Sequence, residues 1–185
     1  GASVTVTVDA TVGCTAGAVD NFGFAQGISG CGSAEAASAA DGFTIAGSPA
    51  ALGAALSVLP AAPLIGGAVT YRIVVTNTGS ATLDALTVSD TVAPLLVGQA
   101  VAGPAAFGSA AVAPVAGGTR YVWSGTGLTF LPGTAYTFTV TGQVSAVCGS
   151  VPVGATALVT GSAACAAATA QGTAAFTPAP PAAAL

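Results

Sequence analysis

Valine and threonine alternate near the start of the chain. Val4, Val6, Val8, Ala10 and Val12 are separated by Thr5, Thr7, Asp9 and Thr11. A period of two is the mark of a half-buried strand, so residues 3–14 are predicted as one. The same alternation runs through residues 68–79 at Val69, Tyr71, Ile73 and Val75, and ends in a turn at Asn77–Gly79. Residues 81–92 form the next predicted strand, with Leu83, Leu86 and Val88 inward and Asp90, followed by Pro94, marking its exit. A strand over 118–125 carries Trp123. A Leu-Pro-Gly turn at 131–133 precedes 134–147, the longest predicted strand, and 155–164 is a further one. The stretch AEAASAA (34–40) is predicted as a loop, because Gly and Ser surround it. Short strands separated by Gly and Pro turns indicate a sandwich or barrel.

The chain also carries an internal repeat, which bears on architecture before anything else does. Sixteen residues separate Cys14 from Cys31, and sixteen separate Cys148 from Cys165. A shift of 134 lays SVTVTVDATVGC (3–14) on TFTVTGQVSAVC (137–148), with Thr5, Val6, Thr7 and Cys14 on identical residues. Phe43-Thr44 echoes Phe176-Thr177 with one residue of drift, and SPAAL (48–52) is echoed by PPAAAL (180–185). Three segments follow. Residues 1–46 are expected to be the end of a preceding repeat or an intersubunit strand segment. Residues 47–180 are a complete sandwich repeat, and 181–185 a tail or the start of the next.

Composition narrows the function. The chain of 185 residues is 53% hydrophobic and only 4% charged, with a net charge of −4. An average soluble domain is about 25% charged. Such a neutral Thr-, Ser-, Gly- and Ala-rich surface suits a subunit buried against copies of itself. The only cations are Arg72 and Arg120, so no basic patch exists for nucleic acid or anionic lipid. No run of 18 apolar residues escapes Gly, Pro, Thr or Ser, which excludes a predicted membrane-spanning helix. If the protein is exported, its signal is expected to have been removed or to lie outside this sequence. There is no His and no Lys. That removes Ser–His and Cys–His dyads, Schiff bases, His-ligated metals and Lys–Asn cross-links. The chain is therefore expected not to be an enzyme, and no cofactor, metal or small-molecule substrate is expected.

The remaining candidate chemistry is sparse. Cys14, Cys31, Cys148 and Cys165 contain no C-x-x-C pair, so two disulfides in an oxidising compartment are expected. Of three connectivities, the local one is preferred: Cys14–Cys31 and Cys148–Cys165, with the segment between each pair doubling back to meet the ~7 Å limit between Cα atoms. Asn77 and Gly79 are expected to supply turn geometry rather than a ligand loop. Asp84 and Asp90 are too isolated for calcium, which takes six to eight oxygen ligands. Tyr121 and Trp123 could form a sugar platform, but Trp123 is expected to plug the sandwich core. Arg72 and Arg120 are expected to pair with the scattered acids.

VTYRIVVTNTGSATLDALTVSDTVAP (69–94), LTFLPGTAYTFTVTGQV (128–144) and ALVTGSA (157–163) together resemble a repeat of prokaryotic surface proteins known as domain of unknown function eleven. The resemblance covers about residues 52–177. Its markers are Tyr71, Asn77, Gly79, Asp90, Pro94, Pro132 and Gly133. Residues 166–177 depart from the family's usual Asn-rich stretch before the last strand. The resemblance implies an immunoglobulin-like antiparallel β-sandwich on an exported protein, in tandem arrays or stalks, without enzymatic activity. The joint expectation is a structural subunit of an extracellular filament or cell-surface fibre. Its partners would be copies of itself, joined by strand complementation or as covalent tandem repeats. Val4, Val6, Val8, Ala10 and Val12 would form the polymerisation strand. An adhesive or carbohydrate-binding module of a surface protein is the alternative.

Overall fold

The computed structural model describes residues 2–146 and 151–178. Cys148 and the expected tail at 181–185 lie outside the described residues. The chain divides into two units, 1–47 and 48–185.

The first unit holds four short strands: β1 (Gly17–Asn21), β2 (Phe24–Ser29), β3 (Gly32–Ala37) and β4 (Asp41–Ile45). β1 pairs with β4, and β2 with β3, both antiparallel. The two pairs are joined where Ser38 N–H donates to the Gly23 carbonyl and Gly23 N–H donates to Ser38 Oγ, each at 2.8 Å. The result is one long two-stranded ribbon. Residues 34–37, expected in a loop, lie in β3. Alanine is a poor strand former alone, and pairing across the ribbon overrides that preference. Residues 2–16, by contrast, form no strand. Alternation predicts which face a strand would bury, but a strand also needs a neighbour to take its backbone hydrogen bonds.

The second unit holds β5 (Leu52–Leu59), β6 (Ala68–Asn77), β7 (Leu83–Val92), β8 (Leu96–Ala102), β9 (Ala111–Val115), β10 (Gly118–Phe130), β11 (Ala135–Val144), β12 (Val153–Ala163) and β13 (Ala166–Phe176). They make two antiparallel sheets, ordered β13-β12-β7-β10-β9 and β5-β6-β11-β8. Period-two side chains from both sheets fill the space between them: Tyr71, Ile73 and Val75 from β6, Leu86 and Val88 from β7, Phe138 and Val140 from β11, Val159 from β12. Trp123 sits at the centre, 1% exposed, with the Phe138 ring 5.2 Å away. The longest strand is β10, not β11, and β11 stops at Val144.

One side of the sandwich is nearly closed, because β13 packs beside β5. Gly172 permits this approach. A Cβ there would stand 3.1 Å from the Ala54 carbonyl oxygen and 3.2 Å from the Leu56 nitrogen. The open sheet edges are β9 and β8.

Candidate functional site: an exposed ribbon that copies a core hairpin

The β12–β13 hairpin turns on two residues, Ala164 and Cys165. The ribbon of the first unit turns on Gly30 and Cys31, 134 positions earlier. The agreement continues down the strands. Gly161 stands opposite Ala168 in the hairpin, as Gly27 stands opposite Ala34 in the ribbon. Ala170 is matched by Ala36 at the next inward position. At the far end Val153 stands opposite Phe176, and Val19 opposite Phe43. The residue of drift also has a structural cause. Asn21 faces Asp41 and Phe24 faces Ala37, so the returning strand carries one residue more than its partner there. That is a bulge, and it moves Phe43 by one position while keeping its partner.

Burial separates the two copies. Val153 is 0% exposed and Phe176 5%, whereas Val19 is 38% and Phe43 57% exposed. Tyr71 holds the buried pair. Its ring lies 6.1 Å from that of Phe176, and its hydroxyl donates to the Val153 carbonyl at 3.1 Å. The ribbon thus presents a face whose counterpart is core. Upstream of it, Val4, Val6 and Val8 are 90%, 82% and 78% exposed, and Ala10 and Val12 are exposed as well. By the same shift, residues 3–14 correspond to the β11 segment, whose inward residues Phe138 and Val140 are fully buried.

The cysteines do not follow the expected local pairing. Cys31 is a free, exposed thiol, so the predicted Cys14–Cys31 bond is absent. Doubling back does occur, but it places Cys31 at the turn itself. About 13 residues of ribbon separate that turn from the end near Cys14, roughly 40 Å at strand rise, far beyond disulfide reach. Cys14 and Cys165 are each disulfide-bonded.

The family-like markers are structural. Asn77 is fully buried, and its amide nitrogen donates to the Ala81 and Phe130 carbonyls, each at 2.8 Å. Its side-chain oxygen accepts the Gly79 N–H at 3.1 Å. Gly79 has no room for a side chain: a Cβ would lie 2.5 Å from both the Ala51 nitrogen and the Pro49 oxygen. Tyr121 is 3% exposed, and with Trp123 it belongs to the core rather than to a sugar platform.

Asp90 departs from its predicted place. It does not end β7 but sits within it, one step along the inward series Leu86, Val88, Asp90, Val92, and is 0% exposed. Neither carboxyl oxygen has a hydrogen-bond partner. Burial pushes its pKa up to about 7, and the nearby Thr91 amide, short of hydrogen-bond geometry, lowers it only in part. Burial, with a smaller contribution from Asp90, pushes Tyr71 up to about 12. Tyr121 is raised by burial first, eased by the Thr119 hydroxyl and raised again by Asp90. Among the described residues no group of three or more His, Cys, Asp or Glu converges as a metal site. Among the described residues no helix is long and apolar enough to cross a membrane.

The fold is an immunoglobulin-like β-sandwich, with the N-terminal ribbon as a separate unit. Among solved structures, the chain is similar to BcpA, the major pilin subunit of Bacillus cereus. The TM-score is 0.53 at 15% identity, over 69% of this chain and 40% of that one. The D312A form of BcpA gives 0.52 at 14% identity over the same shares. A collagen adhesin (CNA) from S. aureus matches at a TM-score of 0.35 and 8% identity, over 79% of this chain and 57% of that one. At these identities the likeness to BcpA is one of fold alone, and this chain matches 40% of the pilin's length. No protein-family model and no curated protein matches the chain.

Proposed function

We propose that the chain is a structural, non-enzymatic unit of an extracellular or cell-surface fibre. Residues 1–47 serve as the trailing strands of one sandwich, and residues 48–178 supply the next. The observation that carries this reading is the Val19–Phe43 pair, exposed in the ribbon yet matched in partner and position by the buried Val153–Phe176 pair. A second support is the neutral surface, which opposes association only weakly. A sandwich fold shared with a pilin subunit agrees with it, as does the resemblance to tandem surface repeats. The partner is another copy of the same kind of unit. It would donate the earlier strands that the ribbon and residues 3–14 lack, whether by strand exchange or within a covalent array.

Electron microscopy of the purified protein is expected to show long thin filaments; dispersed particles under all conditions contradict the reading. The mass of the unfolded, reduced polymer then separates its two forms. A value near 17.1 kDa means exchange between chains, and a much larger value means a tandem chain. Val6→Asp places a charge on the face predicted to be buried, and is expected to cut filament yield by about tenfold or more. The thermal unfolding of the 48–178 sandwich should be unchanged by it.

A further inference from the structure

We propose that Cys31 is a covalent junction site that forms a disulfide with a cysteine of another copy of the chain. Three observations carry it. Cys31 is a free, exposed thiol at a two-residue hairpin tip. Cys165 occupies the same position of the equivalent hairpin 134 residues on, and there the cysteine is disulfide-bonded. The cysteine sixteen residues upstream, Cys14, is not the partner of Cys31, because Cys14 is already bonded and Cys31 is free. The hairpin tip is thus a disulfide position in one repeat and an unfilled one in the other, and the ribbon cannot fill it locally.

The tip suits the chemistry. Cys31 lies between Gly30 and Gly32, so no bulky neighbour covers the sulfur. The turn is fixed from within: Cys31 N–H donates to Ser29 Oγ at 3.3 Å, and Ser29 Oγ–H donates to the Gly32 carbonyl at 3.0 Å. Bond formation removes two electrons and two protons from two thiols, and a small-molecule or protein disulfide accepts them. The Cys31 thiolate attacks one sulfur of that oxidant and expels the first thiolate. The thiolate of the second copy then attacks the Cys31 sulfur of the mixed disulfide and expels the second. One protein disulfide forms, and one oxidant disulfide is reduced to two thiols.

This inference rests on the repeat correspondence used for the fibre reading but not on filaments forming, so two readouts are kept apart. The full chain is incubated with oxidised glutathione, quenched by alkylation and run on a non-reducing denaturing gel. Wild type is expected to give covalent dimers that dithiothreitol removes, extended to higher species where the partner is a cysteine other than Cys31, and Cys31→Ser is expected to lose them. Peptide mapping should place Cys31 in the cross-link; its partner, Cys31 or another cysteine of the second copy, is read from the same map. Monomers carrying only glutathione on Cys31, an intrachain Cys31 disulfide, or the same covalent species in Cys31→Ser and Cys31→Ala would each overturn the proposal. Microscopy in dithiothreitol reads the non-covalent filament on its own, so filaments without cross-links remove the junction and leave the fibre.

Discussion

Raising the pH from 4 to 8 is expected to weaken the sandwich by about 4 kcal/mol, and Asp90→Asn is expected to remove most of that loss. Asp90 is fully buried with both oxygens unpartnered, and its folded pKa stands near 7 against an ordinary 3.8. Well below pH 3.8 the carboxyl is protonated in both folded and unfolded chains, so it imposes no pH-dependent penalty. Between pH 4 and 7 the unfolded chain releases its proton while the folded chain keeps it. Stability therefore falls through this window and levels off above it. The Asn side chain has the same shape and no charge, so its profile should be flat where wild type slopes. Denaturant unfolding at pH 4, 6 and 8 checks this. Parallel profiles for the two proteins would show that Asp90 is solvated or paired in solution.

The second large effect is expected at Asn77. Asn77→Ala leaves the Ala81 and Phe130 carbonyls without their amide donor in a buried corner, while the Gly79 N–H keeps the Ala51 carbonyl at 3.1 Å. Each such loss costs about 1–3 kcal/mol, so a total of about 4 kcal/mol is expected. Asn77→Asp keeps the shape but offers no amide donor to the two carbonyls and adds a buried charge, so at pH 8 it should be at least as damaging. Thermal unfolding of both variants checks the pair. A change below about 1 kcal/mol in either would mean that water replaces the side chain. Both experiments concern residues 48–178, so they test the sandwich without reference to assembly.

Strands with strong alternation and bulky side chains were legible from the sequence. Val69, Tyr71, Ile73 and Val75 all point into the core, and Trp123 plugs it. Strands built from small residues were not. β5, β8 and β9 contain too many Ala and Gly for periodicity to stand out, and AEAASAA resembles a loop until its partner strand is seen. Asp90 was misplaced because an acid before Pro94 is the usual mark of an exit, although the step of two from Leu86 through Val88 also led to it. The cysteines misled for a geometric reason. Their equal spacing reflects hairpins of equal construction, in which the second cysteine marks a tip and not a point opposite the first.

That construction is also the structural observation behind the proposed repeat. Val19–Phe43 and Gly27–Ala34 reproduce the pairing of the β12–β13 hairpin without its core, with a one-residue bulge between them that the hairpin lacks. The most direct measurement is hydrogen exchange at the amides of residues 3–45 in assembled filaments, compared with dispersed chains. If these residues complete the sandwich of another unit, the amides of residues 4–12 should slow by roughly 100-fold or more on assembly, and those of β1–β4 should gain protection too. If they exchange as fast in the filament as in the dispersed chain, while the 48–178 sandwich stays protected in both, residues 1–47 are not the trailing strands of any sandwich.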